Sequence, residues 1–248
     1  MMAKRSDILA TLDRWLTPEN YQDYCPNGLQ VEGRDDIRRI VSGVTASRAL
    51  IDAAVAARAD MILVHHGYFW KGEPQPITGM KKDRIKALLS HEISLVAYHL
   101  PLDDHPEYGN NRQLAAVLGI ENPRPLSGLL WQGELAAPLS APAFAEHLAD
   151  RLDRRPLHVG EGPGRIQKIA WCTGAAQGFL PMAVEAGVDA YISGEASEPT
   201  THTARECGIH YYGAGHHATE RYGVQALGQA LAAEFGIEHR FIDCDNPV

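Results

Sequence analysis

The sequence predicts an α/β protein made of two related α/β domains from an internal duplication, and three observations support this. First, shifting the chain by 129 residues lays IRRIVSGVTASRALIDAAVAARADMILV (37–64) over IQKIAWCTGAAQGFLPMAVEAGVDAYIS (166–193), with seven of 28 positions identical. Both copies read as strand, turn, Ala-rich helix and second apolar strand, a βαβ unit that favours a parallel sheet. Second, a shift of 117 lays LAAVLGIE (114–121) over LAAEFGIE (231–238), with six of eight identical. Third, that same shift puts His99 on His216 and Asp103 on Glu220, so the polar positions repeat along with the apolar ones. The Pro-containing stretch NPRPLSG (122–128) reads as the connector, giving domains 1–125 and 126–248.

Along the first domain, MMAKRSDILATLDRWL reads as an amphipathic helix and NGLQVEG (27–33) opens on an Asn-Gly turn, with Gln30 and Glu32 facing a cleft. MILV (61–64) is a buried strand ending in His65 and His66. VAYH (96–99) is another strand, ending in His99, and Pro101 is expected to keep the next residues out of a helix, leaving Asp103 on a loop. GNN (109–111) caps the following helix. The second domain adds a strand-like LLWQGELA, a helix around 141–153 and the Gly-rich turn GEGPG, none with a clear counterpart in the first. Near its end, a helix begins about Thr219 with a stripe of Val224, Leu227 and Leu231.

Composition excludes several classes. A net charge of −8 gives no basic surface for a phosphate backbone, so no extended nucleic-acid surface is expected. The four cysteines form no C-x-x-C pair, which argues against a disulfide framework or thiolate zinc site and for a reducing compartment. No signal peptide and no membrane span are read, and a cytoplasmic protein is expected.

The chemistry gathers at strand ends, where ligands of α/β sheets bind. In a regular strand His65 and His66 point to opposite faces, which suits two metal ions better than one. Asp103 supplies a carboxylate; His99 is a metal ligand, a partner that orients one, or a proton carrier. His216 and Glu220 share a face if the first turn is helical, with His217 the alternative. Three imidazoles and two carboxylates without sulfur suit two ions of Zn, Mn, Fe or Mg, which can activate water together. Around them, Tyr68, Phe69 and Trp70 are candidates to stack on a planar base and Lys71 to meet a phosphate. Glu195, aligned with His66 in the repeat, is a candidate acid–base group beside His99.

Taken together, PNGLQVEG, ILVHHGYFWKG, HLPLDxHPEYGNN, SGExSE and GHHATER resemble the YbgI or NIF-three-like dinuclear metal-centre proteins, many of them labelled GTP cyclohydrolase 1 type 2 homologues, along essentially the whole chain. The resemblance implies two metal ions in an interdomain cleft, held by His65, His66, Asp103, His216 and Glu220, and a toroidal homohexamer. It further implies a hydrolase opening a nucleotide or related heterocycle through a metal-bound hydroxide. The alternative function is a metal-binding, ring-shaped scaffold or regulatory protein without turnover.

Overall fold

A computed structural model describes residues 2–248. The chain begins with β1 (Ala3–Lys4), α1 (Arg5–Leu16), β2 (Gly28–Val31), β3 (Asp36–Ile37), β4 (Arg39–Thr45), α2 (Arg48–Ala56) and β5 (Met61–His66). It continues through α3 (Gly79–Ser90), β6 (Ser94–Ala97), α4 (Leu100–Asp104), α5 (Asn110–Leu118), β7 (Ile120–Ser127), β8 (Leu130–Leu139) and α6 (Ala141–Leu152). The remainder is β9 (Leu157–Val159), β10 (Ile166–Trp171), α7 (Leu180–Glu185), β11 (Ala190–Ser193), α8 (Glu198–Glu206), β12 (His210–Gly213), α9 (His216–Phe235) and β13 (Glu238–Phe241).

These elements form two compact units, one of residues through Tyr108 with Gly223–Asp245 and one of Gly109–Tyr222 with Asn246–Val248. The first holds a five-stranded sheet of order β13-β4-β5-β6-β2, in which only β2 runs antiparallel to its neighbour. Successive residues of β4 and β5 face opposite cores: Ile40, Met61 and Leu63 pack with α1 and α9 residues, while Val41, Ile62 and Val64 pack with α2 and α3 residues. A sheet covered on both faces explains why MILV reads as a continuous apolar run with no alternation. The second unit holds a six-stranded sheet of order β7-β8-β10-β11-β12-β9, parallel in its β10-β11-β12 centre.

The duplication extends to strand register. Ile40 lies opposite Met61 across β4 and β5, and the residues 129 positions on, Ile169 and Ala190, lie opposite each other across β10 and β11. Ser94 follows opposite Met61 and His210 opposite Ala190, so the third strands correspond at a shift of 116. The shift of 117 at the histidines therefore contains one extra residue after β12. Gly215, with φ +100°, lies in that stretch and takes a conformation other residues adopt only with strain.

Asp60 and Asp189, identical in the repeat, do the same work. Asp60 accepts the backbone N–H groups of Arg38 and Arg39 at 2.8 and 3.0 Å, and Asp189 those of Gln167 and Lys168 at 2.9 and 2.8 Å. Each ties the entrance of one parallel strand to the entrance of the next. Asp60 also pairs with Arg34 at 3.0 Å. Asp60→Ala is expected to lower stability by about 2–3 kcal/mol, because it strips several donors of a shared acceptor at once. Urea denaturation at neutral pH checks this; an unchanged midpoint contradicts it.

Three sequence expectations change. The connector at 122–128 is mostly strand: β7 forms a hairpin with β8 and tolerates Pro123 and Pro125 because it is an edge strand. The boundary at 125/126 therefore moves to 108/109, since α5 contributes Leu114, Ala115 and Leu118 to the second unit's core. A second division falls inside α9, and β13 pairs with β4 in the first unit's sheet. Thus LAAVLGIE, from the first half of the sequence, serves the second unit, and its repeat LAAEFGIE largely serves the first. Finally, residues 100–104 are helical despite Pro101, which falls in the first turn where a missing N–H costs nothing. No helix of the described residues is long and apolar enough to cross a membrane.

Candidate metal centre

In the first unit, β5 delivers His65 and His66 at its carboxyl end. His65 is fully buried, and its Nδ1–H donates to the Tyr98 carbonyl at 3.0 Å, which leaves Nε2 as the nitrogen able to coordinate. The two rings do not diverge as a regular strand would have them: their centroids lie 4.6 Å apart. His66, the last strand residue, is turned by a contact of its Nδ1 with Thr45 Oγ1 at 3.1 Å. Gly67 follows, and a Cβ there would lie 2.1 Å from Gln30 Oε1 and 2.7 Å from Ala97 Cβ, so only glycine lets the strand end lie this close to β2 and β6.

His99 joins them: His65, His66 and His99 each offer a ligand atom within 4.8 Å of the others. It precedes α4, whose single turn places the buried Asp103 with Oδ1 3.4 Å from His65 Nε2. Asp104 accepts the Tyr21 hydroxyl at 2.9 Å, and His105 stacks on Tyr108.

The loop YQDYCPN (21–27), of which only Pro26 and Asn27 belong to a recognised motif, holds His99. Asp23 Oδ1 takes the His99 Nδ1–H at 2.7 Å, its Oδ2 takes the Leu100 N–H at 2.9 Å, and Asn27 Oδ1 takes the His99 N–H at 2.7 Å. Burial alone would raise the Asp23 carboxyl, but the hydrogen bonds from His99 and Asn27 outweigh it and hold the group at about 2. Asp23, Cys25 and His99 also offer ligand atoms within 4.8 Å of one another. Asp23 is already committed to four donors (His99, Leu100, Asn27 and the Tyr24 N–H at 2.6 Å), and burial pushes the Cys25 thiol up to about 12. This trio therefore suits positioning His99 better than ligation. The only signal for it in the sequence is a polar loop without periodicity ahead of the Asn-Gly turn.

In the second unit, α9 starts at His216, three residues earlier than expected, so His216 and Glu220 do share a helical face. His216 Nε2 lies 3.1 Å from Glu220 Oε2, and its Nδ1–H donates to Glu195 Oε1 at 2.7 Å. Burial would lower the imidazole, yet Glu220 and then Glu195 overcome it and hold His216 at about 9. A buried carboxylate facing Nε2 creates a strong demand for positive charge at that nitrogen, which a divalent ion meets as a proton does. Two glycines make room: a Cβ on Gly174 would lie 2.0 Å from Glu220 Oε1, and one on Gly194 would lie 2.6 Å from the Gly174 carbonyl and 2.7 Å from His216 Cα. His217 is buried with its N–H on the Val248 carbonyl, and no group of three or more potential metal ligands among the described residues includes it.

The same device recurs in both units. His65, His99 and His216 each donate Nδ1–H to a carbonyl or carboxylate and present Nε2, the arrangement by which proteins orient a metal-bound imidazole. With Asp103 and Glu220 as buried carboxylates, the donors present fit divalent ions that take nitrogen and oxygen.

The surrounding residues divide. Tyr68 is a packed core residue, its hydroxyl on the Ala46 carbonyl at 2.8 Å, and offers no free face to a base. Phe69, 37% exposed at φ +65°, carries the Lys81 ammonium 5.0 Å from its ring centre. Trp70 stands edge-on to His99 at 5.0 Å and donates Nε1–H to the Gly67 carbonyl. Lys71 is exposed. Gln30 bonds the Tyr68 and Pro26 backbone, and Glu32 pairs with Arg5. Asn111 is buried in the second unit, where it accepts the Thr173 N–H and donates to the Leu129 carbonyl; Gly109 occupies the cap position.

Each of the duplicated α/β units thus places an imidazole anchored through Nδ1 beside a buried carboxylate at its strand ends, groups able to hold a metal ion. Residues 3–247 match the model of the Duf34/NIF3 (NGG1p interacting factor 3) family, and the chain belongs to that family. It is 59% identical over 247 residues to a Pseudomonas aeruginosa protein named GTP cyclohydrolase 1 type 2 homolog, covering 98% of each chain. It is similar to a solved structure described as protein ybgI of unknown function, with TM-score 0.97 and 49% identity, covering 99% of this chain and 100% of that one. A crystal structure of a Thermus thermophilus protein matches with TM-score 0.92 and 33% identity, over 99% of this chain and 100% of that one.

Proposed function

We propose that this chain is a metal-dependent hydrolase of a nucleotide or related heterocycle that uses two divalent ions, with His65, His66, Asp103, His216 and Glu220 as the ligand set. The observation that carries the reading is the common anchoring of the imidazoles, which fixes Nε2 outward next to buried carboxylates. Two divalent ions, when bound, acidify water and stabilise negative charge developing on a ring or phosphoryl oxygen. The chain's own contribution is positional. The Tyr98 carbonyl orients His65, and Asp23 fixes His99 with Nε2 available to take or give a proton. Glu195, engaged by His216 Nδ1, suits orienting that ring better than carrying a proton. The name of the Pseudomonas relative supports a GTP-like substrate. The protein acts in the cytoplasm in this reading and assembles as a homohexamer, which light scattering would read as six chains.

Metal-loaded protein is expected to turn over at least one member of a panel of nucleotides that includes GTP and oxidised bases, with His99→Ala slowed. No turnover across the panel sinks the hydrolase reading. The family's name, an interacting factor, favours a second one: a metal-binding scaffold. There, His65→Ala would abolish capture of a partner while no substrate is found.

A further inference from the structure

The loop that buries Asp23 under His99 turns its next residue outward. Tyr24 is 62% exposed, although its neighbour Cys25 is buried. Its ring stands 6.4 Å from the His99 ring at 68°, edge to face, on the histidine that Trp70 also approaches edge-on. The Tyr24 carbonyl accepts the Lys71 N–H at 2.7 Å, which fastens this loop to the aromatic segment after β5 and sets an exposed ammonium-bearing residue beside an exposed ring. Keeping a large aromatic in water forfeits burial that tyrosine usually gains, and here it happens next to the imidazole poised for proton transfer. Tyr68 and Trp70 are both fixed by packing or by a hydrogen bond of their polar atom, whereas Tyr24 offers an open face.

We propose that Tyr24 and Lys71 form a substrate-specificity subsite, in which the Tyr24 ring stacks on a purine base and Lys71 meets the phosphate of the same nucleotide. The Tyr24 and His99 ring centres lie 6.4 Å apart, so a planar ring laid on Tyr24 sits near that imidazole. Stacking on one aromatic side chain supports any base, so the subsite selects planarity and negative charge, and hydrogen-bonding groups elsewhere choose among bases. This subsite rests on the nucleotide reading above and names the residues that would recognise the ligand.

The test is equilibrium binding of guanosine, GTP and inorganic triphosphate to the metal-loaded protein. Tyr24→Leu is expected to weaken guanosine and GTP about tenfold and leave triphosphate unchanged, with Tyr24→Phe restoring wild-type binding. Lys71→Met is expected to weaken GTP and triphosphate but not guanosine. Wild-type affinity for guanosine in Tyr24→Leu overturns the subsite while the nucleotide reading stands. The expected pattern without any turnover preserves the subsite and removes only the hydrolytic reading. Failure of the wild-type protein to bind any of the three ligands overturns both.

Discussion

Replacing Asp103 by asparagine is expected to weaken metal binding more than a hundredfold while the fold stays intact. The side chain keeps its shape, so α4 and the contacts of the buried His65 are undisturbed. What disappears is the negative charge 3.4 Å from His65 Nε2. Losing a group that merely stands behind a ligand costs roughly ten- to a hundredfold in affinity, and loss of a ligating carboxylate exceeds that. Titration of the apo protein with Zn or Mn, followed by calorimetry, gives the constant. Binding at wild-type affinity would show that Asp103 is not a ligand.

Gly194→Ala is expected to damage the second unit's site through the backbone alone. The new methyl would meet the Gly174 carbonyl oxygen at 2.6 Å and His216 Cα at 2.7 Å, neither of which is the end of a flexible side chain. Overpacking of this kind costs about 1–3 kcal/mol. A chain of this size loses roughly 2–4 °C of melting temperature per kcal/mol, so a drop of about 2–12 °C is expected by calorimetry. His216 must move to relieve the contact, which takes its Nε2 away from Glu220. Gly178→Ala is the control, since a Cβ there meets nothing within 4 Å. Equal melting temperatures for the two variants would contradict the account.

Strand-end chemistry was legible in the sequence because buried parallel strands announce themselves as apolar runs, and polar residues after such runs are easy to see. MILV followed by His65 and His66, and VAY followed by His99, are of this kind. The repeat made His216 and Glu220 legible by correspondence with His99 and Asp103. Long-range features were not. The pairing of β13 with β4 joins residues some 200 positions apart, which no local pattern encodes. A proline-bearing strand such as β7 reads as a connector because its tolerance depends on being an edge, a property of the finished sheet. The residues behind the imidazoles were hidden for the same reason. Asp23 meets His99 from 76 positions away and the Tyr98 carbonyl meets His65 from 33, and a backbone carbonyl carries no sequence signal at all. The convergence of His65 and His66 likewise depends on Thr45 and Gly67 at the strand end.

In the proposed function, His65, His66, Asp103, His216 and Glu220 are ligands of two divalent ions. Metal analysis of the purified protein by mass spectrometry, before and after reconstitution, tests it most directly. Two ions per chain are expected, falling below two in both His65→Ala and Glu220→Gln. Fewer than one ion per chain after reconstitution with Zn, Mn, Fe and Mg in turn, or a full complement in either variant, would contradict it.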